Sequence, residues 1–249
     1  TCNNNLADCA GHFGYIHLEL PVFHAGYIKH TLTILQCICK GCSRVLLSPE
    51  DRSYYLMKLR DGKNDALYRA GVFKKIVDAC KRIHKCPRCE KPNGVVKKVS
   101  GGVFKIVHDI SKLRNVPTFM GHFNSELDHA LASNSELAAQ SKQINNCELI
   151  TPLKAYELLS GIIEEDMTLL WMSYNFGQPA SLIVWTIPVP PVPIRPSVPV
   201  EIGGGGTTED DLTIKLQEII FVNDALRWAF LRGANMKLVA EDWELLQIQ

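Results

Sequence analysis

Apolar positions along this chain change period several times, and each period marks a different element. "YIHLELPVF" (Tyr15 to Phe23) partly alternates and predicts a half-buried strand. "AGYIKHTLTILQ" then predicts a short helix running into three clustered cysteines. Ser48, Pro49 and Asp51 place a capping serine, a proline at the first helical position and an acid three residues after the cap. "DALYRAGVFKKIVDACKRI" repeats apolar residues at Leu67, Val72, Ile76, Val77 and Ile83, a helical spacing with a basic end. "CPRCEKPNGVVKKVSGGVFKIVHDI" predicts a cysteine knuckle followed by a hairpin, with turns at Pro92-Asn93-Gly94 and Gly101-Gly102. Residues 112–148 are polar and alanine-rich, surface helix or loop.

From Thr151-Pro152 the helical period returns, with Leu153, Tyr156, Leu159 and Ile163 on one face. Six prolines in the thirteen residues from Pro188 to Val200 disfavour helix and predict an extended, polyproline-like strip. Gly203 to Gly206 follows, a run of free backbone or a linker. Thr208 to Asp211 caps a helix with Leu212, Leu216, Ile219 and Ile220 on one face, and Leu238 to Ile248 forms a last amphipathic helix. The expected fold class is α+β, with helical bundle elements and short antiparallel strands in an irregular, zinc-stabilised frame. Four stretches are expected: 1–110 with a helical insert at 48–82, 111–187 mainly helical, 188–210 a proline/glycine loop, and 211–249 two helices.

The 249 residues are 46% hydrophobic and 21% charged, enough for a real core, so neither disulfides nor metal are needed on grounds of size alone. Net charge is +1, so any nucleic-acid surface must be a local patch. The longest apolar run, "SLIVWTIPVPPVP", is short and proline-broken, and no membrane span is expected. The opening "TCNNNLADC" does not read as a signal peptide, which makes a reducing compartment the expectation.

The nine cysteines carry the chemistry. Cys39-x-x-Cys42 and Cys86-x-x-Cys89 have the spacing with which two knuckles build one tetrahedral zinc site. Forty-three residues lie between the pairs, and a helical insert that leaves and returns at one place accounts for them. Two unrelated buried pairs, or a redox C-x-x-C, are the alternatives. Cys37 reads as strand-borne core, and Cys80 and Cys147 as small apolar residues. Cys2, Cys9 and His12 form three-quarters of a second possible site. The remaining histidines are scattered and read as surface or hydrogen-bonded core. No phosphate loop, catalytic triad or carboxylate pair stands out.

Positive charge concentrates between Lys74 and Lys98, nine basic residues against two acidic ones. Arg88, Lys91, Lys97 and Lys98 around the second knuckle suit a phosphate backbone, although a merely solvated face would look the same. Arg195, alone among prolines, sits where a rigid strip would hold it in place, and it is the fifth expected nucleic-acid contact.

"CAGHFGYIHLELPVFHAGYIKHTLTILQCICKGCSRVLL", "PVPPVPIRPSV" and "EDDLTIKLQEII" resemble, in order, landmarks of the N-terminal clamp of the largest subunit of cellular RNA polymerases. "NGVVKK" and "EDWELLQIQ" resemble the RNA polymerase III branch; residues 112–150 match poorly. The resemblance implies a zinc-stabilised clamp over the DNA cleft, a clamp head over 111–187 and a lid near Pro190 to Asp210. It implies zinc on Cys39, Cys42, Cys86 and Cys89. It implies a second zinc on Cys2, Cys9 and His12, completed by a cysteine just before Thr1, so that this chain would be a fragment. It further implies the second-largest subunit, other polymerase subunits, template DNA and nascent RNA as partners, and a nuclear location. The family's magnesium motif, Asn-Ala-Asp-Phe-Asp-Gly-Asp, does not occur here, so magnesium and nucleotidyl transfer would belong to the parent enzyme. A stand-alone zinc-ribbon adaptor is the alternative.

Overall fold

A computed structural model describes residues 2–5, 8–61, 65–99, 104–111, 147–199 and 207–249. The chain divides into two compact units, residues 24–183 and residues 1–23 with 184–249. The first strand, β1 (Gly14–Phe23), therefore folds with the far end of the sequence rather than with residues 24–110.

The 24–183 unit begins with a 3-10 turn at Ala25–Tyr27 and α1 (Ile28–Cys37). α2 (Pro49–Asp61) starts as its sequence dictates: the Asp51 N–H donates to Ser48 Oγ at 3.1 Å, and that hydroxyl donates to Asp51 Oδ2 at 2.9 Å. α3 (Ala66–Arg82) is capped by Asp65, whose side chain accepts from the N–H groups of Leu67 and Tyr68. β2 (Val95–Lys98), β3 (Ile106–Asp109) and β4 (Cys147–Ile150) form an antiparallel sheet with the order β2-β3-β4. α4 (Pro152–Ser160) and α5 (Glu164–Leu169) follow. The core joins Leu35, Ile76, Ile106, Ile150, Leu159 and Leu169, each at most 1% exposed. Each such side chain contributes roughly 1.5–3 kcal/mol by leaving water.

Three polar side chains brace this core. Gln36, on α1, accepts from the Val96 N–H at 2.6 Å and donates to the Gly94 carbonyl at 3.4 Å, doing for the edge of β2 what a further strand would do. His108 Nε2 accepts from the Gly94 N–H at 2.8 Å. Asn93 Nδ2 donates to the Ile83 carbonyl at 3.0 Å. Only glycine fits at 94, because a β-carbon there would overlap the Asp109 carbonyl.

In the other unit, β1 pairs with β5 (Ile183–Val189), and β6 (Val198–Pro199) pairs antiparallel with β7 (Thr207–Thr208). α6 (Asp211–Leu231) and α7 (Met236–Ile248) are capped by Asp210 and Asn235. Leu18, Val22, Ile219, Val222, Leu226 and Leu246 form the core of this unit. Side chains from both helices satisfy the β1 backbone. Asn223 accepts from the Glu19 N–H and donates to the His17 carbonyl, Gln247 brackets Phe23 in the same way, and Trp243 Nε1 donates to the Pro21 carbonyl. Gly11, at φ +88°, lies against Pro191, where a β-carbon would collide with the proline ring.

Several sequence expectations shift. Leu67 is 86% exposed, since α3 buries Val72, Ile76, Val77 and Cys80 instead. α4 buries Ala155, Leu158 and Leu159 with Ile162 beyond it, a face rotated away from Leu153 and Tyr156; Ile163 caps the next helix. α6 buries Leu216, Ile219, Val222 and Leu226, leaving Leu212 and Ile220 exposed. Cys37 ends a helix rather than sitting on a strand, and Cys147 is exposed on β4. Cys147–Ile150 is a strand of the sheet, so the mainly helical stretch contains β structure. The proline strip is part of β5, a 3-10 turn at Val192–Ile194 and β6 rather than one extended run. The expected glycine turn at 101–102, the loop or helix at 112–146 and the glycine run at 203–206 lie outside the described residues.

His108 gives this unit an acid sensitivity. Burial, reinforced by the nearby Lys40 ammonium, lowers its pKa from 6.5 to about 4. The unfolded imidazole takes a proton first, so this contribution is complete above pH 6.5 and is lost as pH falls toward 4. The urea midpoint of the parent protein should drop across that window more steeply than that of His108→Gln, which keeps an acceptor for Gly94 but cannot titrate. Parallel pH profiles would refute this role.

Candidate metal centre

Two loops of nearly identical construction converge in the 24–183 unit. In the first, the Cys39 N–H donates to the Arg44 carbonyl at 2.9 Å and the Ser43 N–H donates to the Cys39 carbonyl at 3.0 Å. In the second, the Cys86 N–H donates to the Lys91 carbonyl at 2.9 Å and the Glu90 N–H donates to the Cys86 carbonyl at 3.0 Å. An isolated antiparallel bridge closes each loop, Ile38 with Val45 and Lys85 with Pro92. The residue after each second cysteine is left-handed, Ser43 at φ 56° and Glu90 at φ 60°. Non-glycine residues rarely adopt that conformation, and here it turns each pair of sulfurs to the same side.

The four sulfurs of Cys39, Cys42, Cys86 and Cys89 all lie within 4.8 Å of one another. Cys39 Sγ is 3.4 Å from Cys89 Sγ, and Cys42 Sγ is 3.7 Å from Cys86 Sγ. Four sulfurs at about 2.3 Å from one ion would stand ~3.8 Å apart, so the set fits a tetrahedral ion, and its all-thiolate chemistry suits zinc. Burial pushes the Cys42 thiol up to about 12 and raises Cys39 as well. At Cys89 burial also pushes upward, but the Lys91 N–H and the other three sulfurs outweigh it and bring the thiol down to about 7. The Gly41 N–H donates to Cys39 Sγ at 3.3 Å.

Lys40 ties the two loops together. Its ammonium is buried, and it donates to the Ile38 carbonyl at 2.9 Å and to Asn93 Oδ1 at 3.0 Å. Burial lowers its pKa to about 8, while the nearby Cys39, Cys37 and Cys80 sulfurs pull the other way. Cys37 and Cys80 are fully buried beside the cluster and outside it, as core.

A residue with no sequence signal braces the first loop from 122 positions away. Asp166, 1% exposed on α5, accepts from Arg44 Nε at 2.7 Å and from the Val45 N–H at 3.3 Å, and pairs with Arg52 at 2.7 Å. Arg44 is the residue whose carbonyl closes the Cys39 turn.

Cys2, Cys9 and His12 also come together, in the other unit. Cys9 Sγ lies 3.4 Å from Cys2 Sγ and 3.5 Å from His12 Nε2, and the Gly11 N–H donates to Cys9 Sγ at 3.4 Å. These three ligand atoms lie within 4.8 Å of one another, close enough to share one ion.

The basic residues are surface features. Arg88 and Lys91 are exposed, the latter with its methylenes against Gly41. Lys97 pairs with Asp109 at 2.7 Å, and Lys98 lies 4.5 Å from the centre of the Phe104 ring. Arg195, in the other unit, uses its guanidinium internally, donating to the Pro190 carbonyl at 2.9 Å and to Thr213 Oγ1 at 3.1 Å. The strip holds it in place with two of the five guanidinium N–H groups engaged.

Paired cysteine knuckles in an α+β frame, with a partial Cys/His set beside a proline strip, define a domain organised around metal-ligating loops. The chain belongs to the family described as RNA polymerase Rpb1, domain 1, which matches residues 1–249. It is 42% identical over 247 residues to DNA-directed RNA polymerase III subunit rpc1 of Dictyostelium discoideum, covering 99% of this chain and 16% of that protein. It is 42% identical over 249 residues to the rpc1 subunit of Schizosaccharomyces pombe and 40% identical over 251 residues to the RPC1 subunit of Homo sapiens, covering all of this chain and 17% and 18% of those proteins. The chain thus spans less than a fifth of the length of these relatives.

Replacing Asp166 with Asn should leave the four sulfurs in place but free Arg44, so that a bound metal is lost faster. Second-sphere changes typically cost 10–100-fold in metal affinity. Zinc release to a chromogenic chelator should therefore accelerate at least about tenfold. Release at the parent rate would make Asp166 a core ion pair and nothing more.

Proposed function

We propose that this chain is the clamp segment of an RNA polymerase III-type largest subunit, held in shape by structural zinc and facing the DNA and RNA–DNA hybrid path in the nucleus. One observation carries the reading: four sulfurs from loops 43 residues apart converge within 4.8 Å, in a chain that matches the family's domain 1 along its whole length. The zinc ions do no chemistry. In zinc-finger peptides a structural zinc supplies roughly 10–16 kcal/mol of folding free energy, and here it would fix two loops whose turns are strained at Ser43 and Glu90. Nucleotidyl transfer, with its magnesium, belongs to the parent enzyme, and transcription of small RNAs is the parent's task. The second-largest subunit, other polymerase subunits, template DNA and nascent RNA are the proposed partners. Among the described residues no helix is long and apolar enough to cross a membrane.

The exposed lysines beside the second knuckle supply the nucleic-acid contact in this reading. Arg88, Lys91 and Lys98 enter no ion pair among the described residues, Lys98 standing over the Phe104 ring, whereas Lys97 is shared with Asp109. Arg195 contributes by fixing the base of the lid-like loop at 188–210 onto α6 through Thr213.

Elemental analysis of the reduced, folded protein should find at least one zinc per chain, and two when a fourth donor completes the Cys2, Cys9 and His12 set. Folded protein without zinc would defeat the proposal. Changing Lys91 and Lys98 to Gln should weaken duplex DNA binding and reduce the slope of log K against log salt by about 2, roughly one unit per lost phosphate contact. An unchanged slope would mean that these lysines are only a solvated face. Recovery of the tagged chain with the second-largest polymerase subunit is expected, and a monodisperse monomer that captures no polymerase subunit would favour a free-standing adaptor.

A further inference from the structure

Away from the sulfur cluster, the 24–183 unit contains an open cleft of about 1190 Å³. Four arginines line it: Arg52 and Arg60 from α2, Arg69 from α3, and Arg88 from the second knuckle. Arg52 is anchored by Glu165 at 2.8 Å and Asp166 at 2.7 Å. Its Nε is nevertheless buried without a hydrogen-bond partner, and so is the Nε of Arg69. The side chains of Arg60, Arg69 and Arg88 enter no ion pair among the described residues. Those two nitrogens have no exposed surface, so a ligand in the cleft would instead meet the exposed side chains of Arg60 and Arg88, which no carboxylate neutralises among the described residues. The rest of the lining is mixed: Leu56 and Met172 provide hydrocarbon and thioether surface over the buried Leu59 and Met167, and Glu164 and Glu165 add negative charge.

We propose that this cleft docks a short peptide segment of a partner polypeptide in which acidic and apolar side chains alternate. Arginine forks match carboxylates in bidentate geometry, and methionines adapt to varied apolar side chains. The volume exceeds the roughly 300–1,000 Å³ of small-molecule pockets and suits several extended residues. Nucleic acid fits less well. Its phosphates form an unbroken row of negative charge that Glu164 and Glu165 would repel, and the leucine and methionine surface would gain nothing from it. An acidic peptide can set a small or basic residue opposite those two glutamates. The proposal shares Arg88 with the nucleic-acid reading above, and its test therefore uses Arg60 and Arg69, which that reading does not involve.

Fluorescence anisotropy on the full zinc-loaded chain can test this with a labelled twelve-residue peptide of alternating Glu and Leu. The comparison probes are the same peptide with Lys for Glu, the same peptide with Ser for Leu, and a twelve-nucleotide oligo-dT. The Glu/Leu peptide should bind saturably and in a salt-dependent manner, the Ser version should bind more weakly, and the Lys version should not bind. The pair Arg60→Gln with Arg69→Gln should raise its Kd about tenfold, the scale of losing one or two arginine anchors, with melting temperature and zinc content unchanged. Should the pair unfold, Arg60→Gln alone, on an exposed side chain, should still raise Kd about threefold. Absence of saturable binding, or equal Kd values for parent and folded variant, would overturn the proposal. Binding of oligo-dT that is lost in the same variants while the peptide fails to bind would also overturn it and make the cleft a phosphate site.

Discussion

Four cysteine sulfurs held within 4.8 Å of one another repel as thiolates and gain little as thiols, and the surrounding loops are built to keep them together. Each loop spends a left-handed residue, Ser43 or Glu90, and two backbone hydrogen bonds to aim its sulfurs. Lys40 then bridges the loops through Asn93, and Asp166 grips the first one through Arg44. The strain, the buried ammonium and the buried carboxylate all cost free energy in isolation. They become reasonable together when a cation compensates the thiolates and the loops carry too few apolar side chains to fold alone.

Both units solve one further problem with side chains. Two short sheets would expose unpaired backbone edges, which invite association with other strands. Gln36 covers the edge of β2, while Asn223, Gln247 and Trp243 cover β1. Side-chain groups reaching from helices thus take the place of additional strands. This lets irregular loops such as the proline strip sit against the fold, as at Gly11 and Pro191, without extending a sheet.

The chain's function divides along similar lines. Family membership places the chain in a polymerase domain, and the convergence of sulfurs gives it a set that could hold a metal ion; the exposed lysines beside that set belong to the DNA reading proposed above. The arginine cleft departs from it. Its charge is mixed and its surface partly apolar, which are features of a peptide-docking site more than of a phosphate track.

Local spacing made much of this legible. The knuckle cysteines, the helix caps at Ser48 and Asp210, the β1 strand, the hairpin after the second knuckle and the core roles of Cys37 and Cys80 depend on residues near in sequence, and short-range geometry decided them. Helix faces were less legible, because Leu67, Leu153 and Leu212 are apolar residues near element starts that periodicity alone cannot separate from core. Asp166, Gln36, Asn223 and the internal use of Arg195 were invisible: each acts through a partner between 18 and 206 positions away, and no spacing rule links a lone polar residue to such a partner. The sequence by itself determined which atoms could bind metal and which segments could form helices and strands. Only the tertiary structure decided which helix faces were buried, which charges were consumed internally and which arginines were left facing a cleft, because those outcomes depend on desolvation by residues distant along the chain.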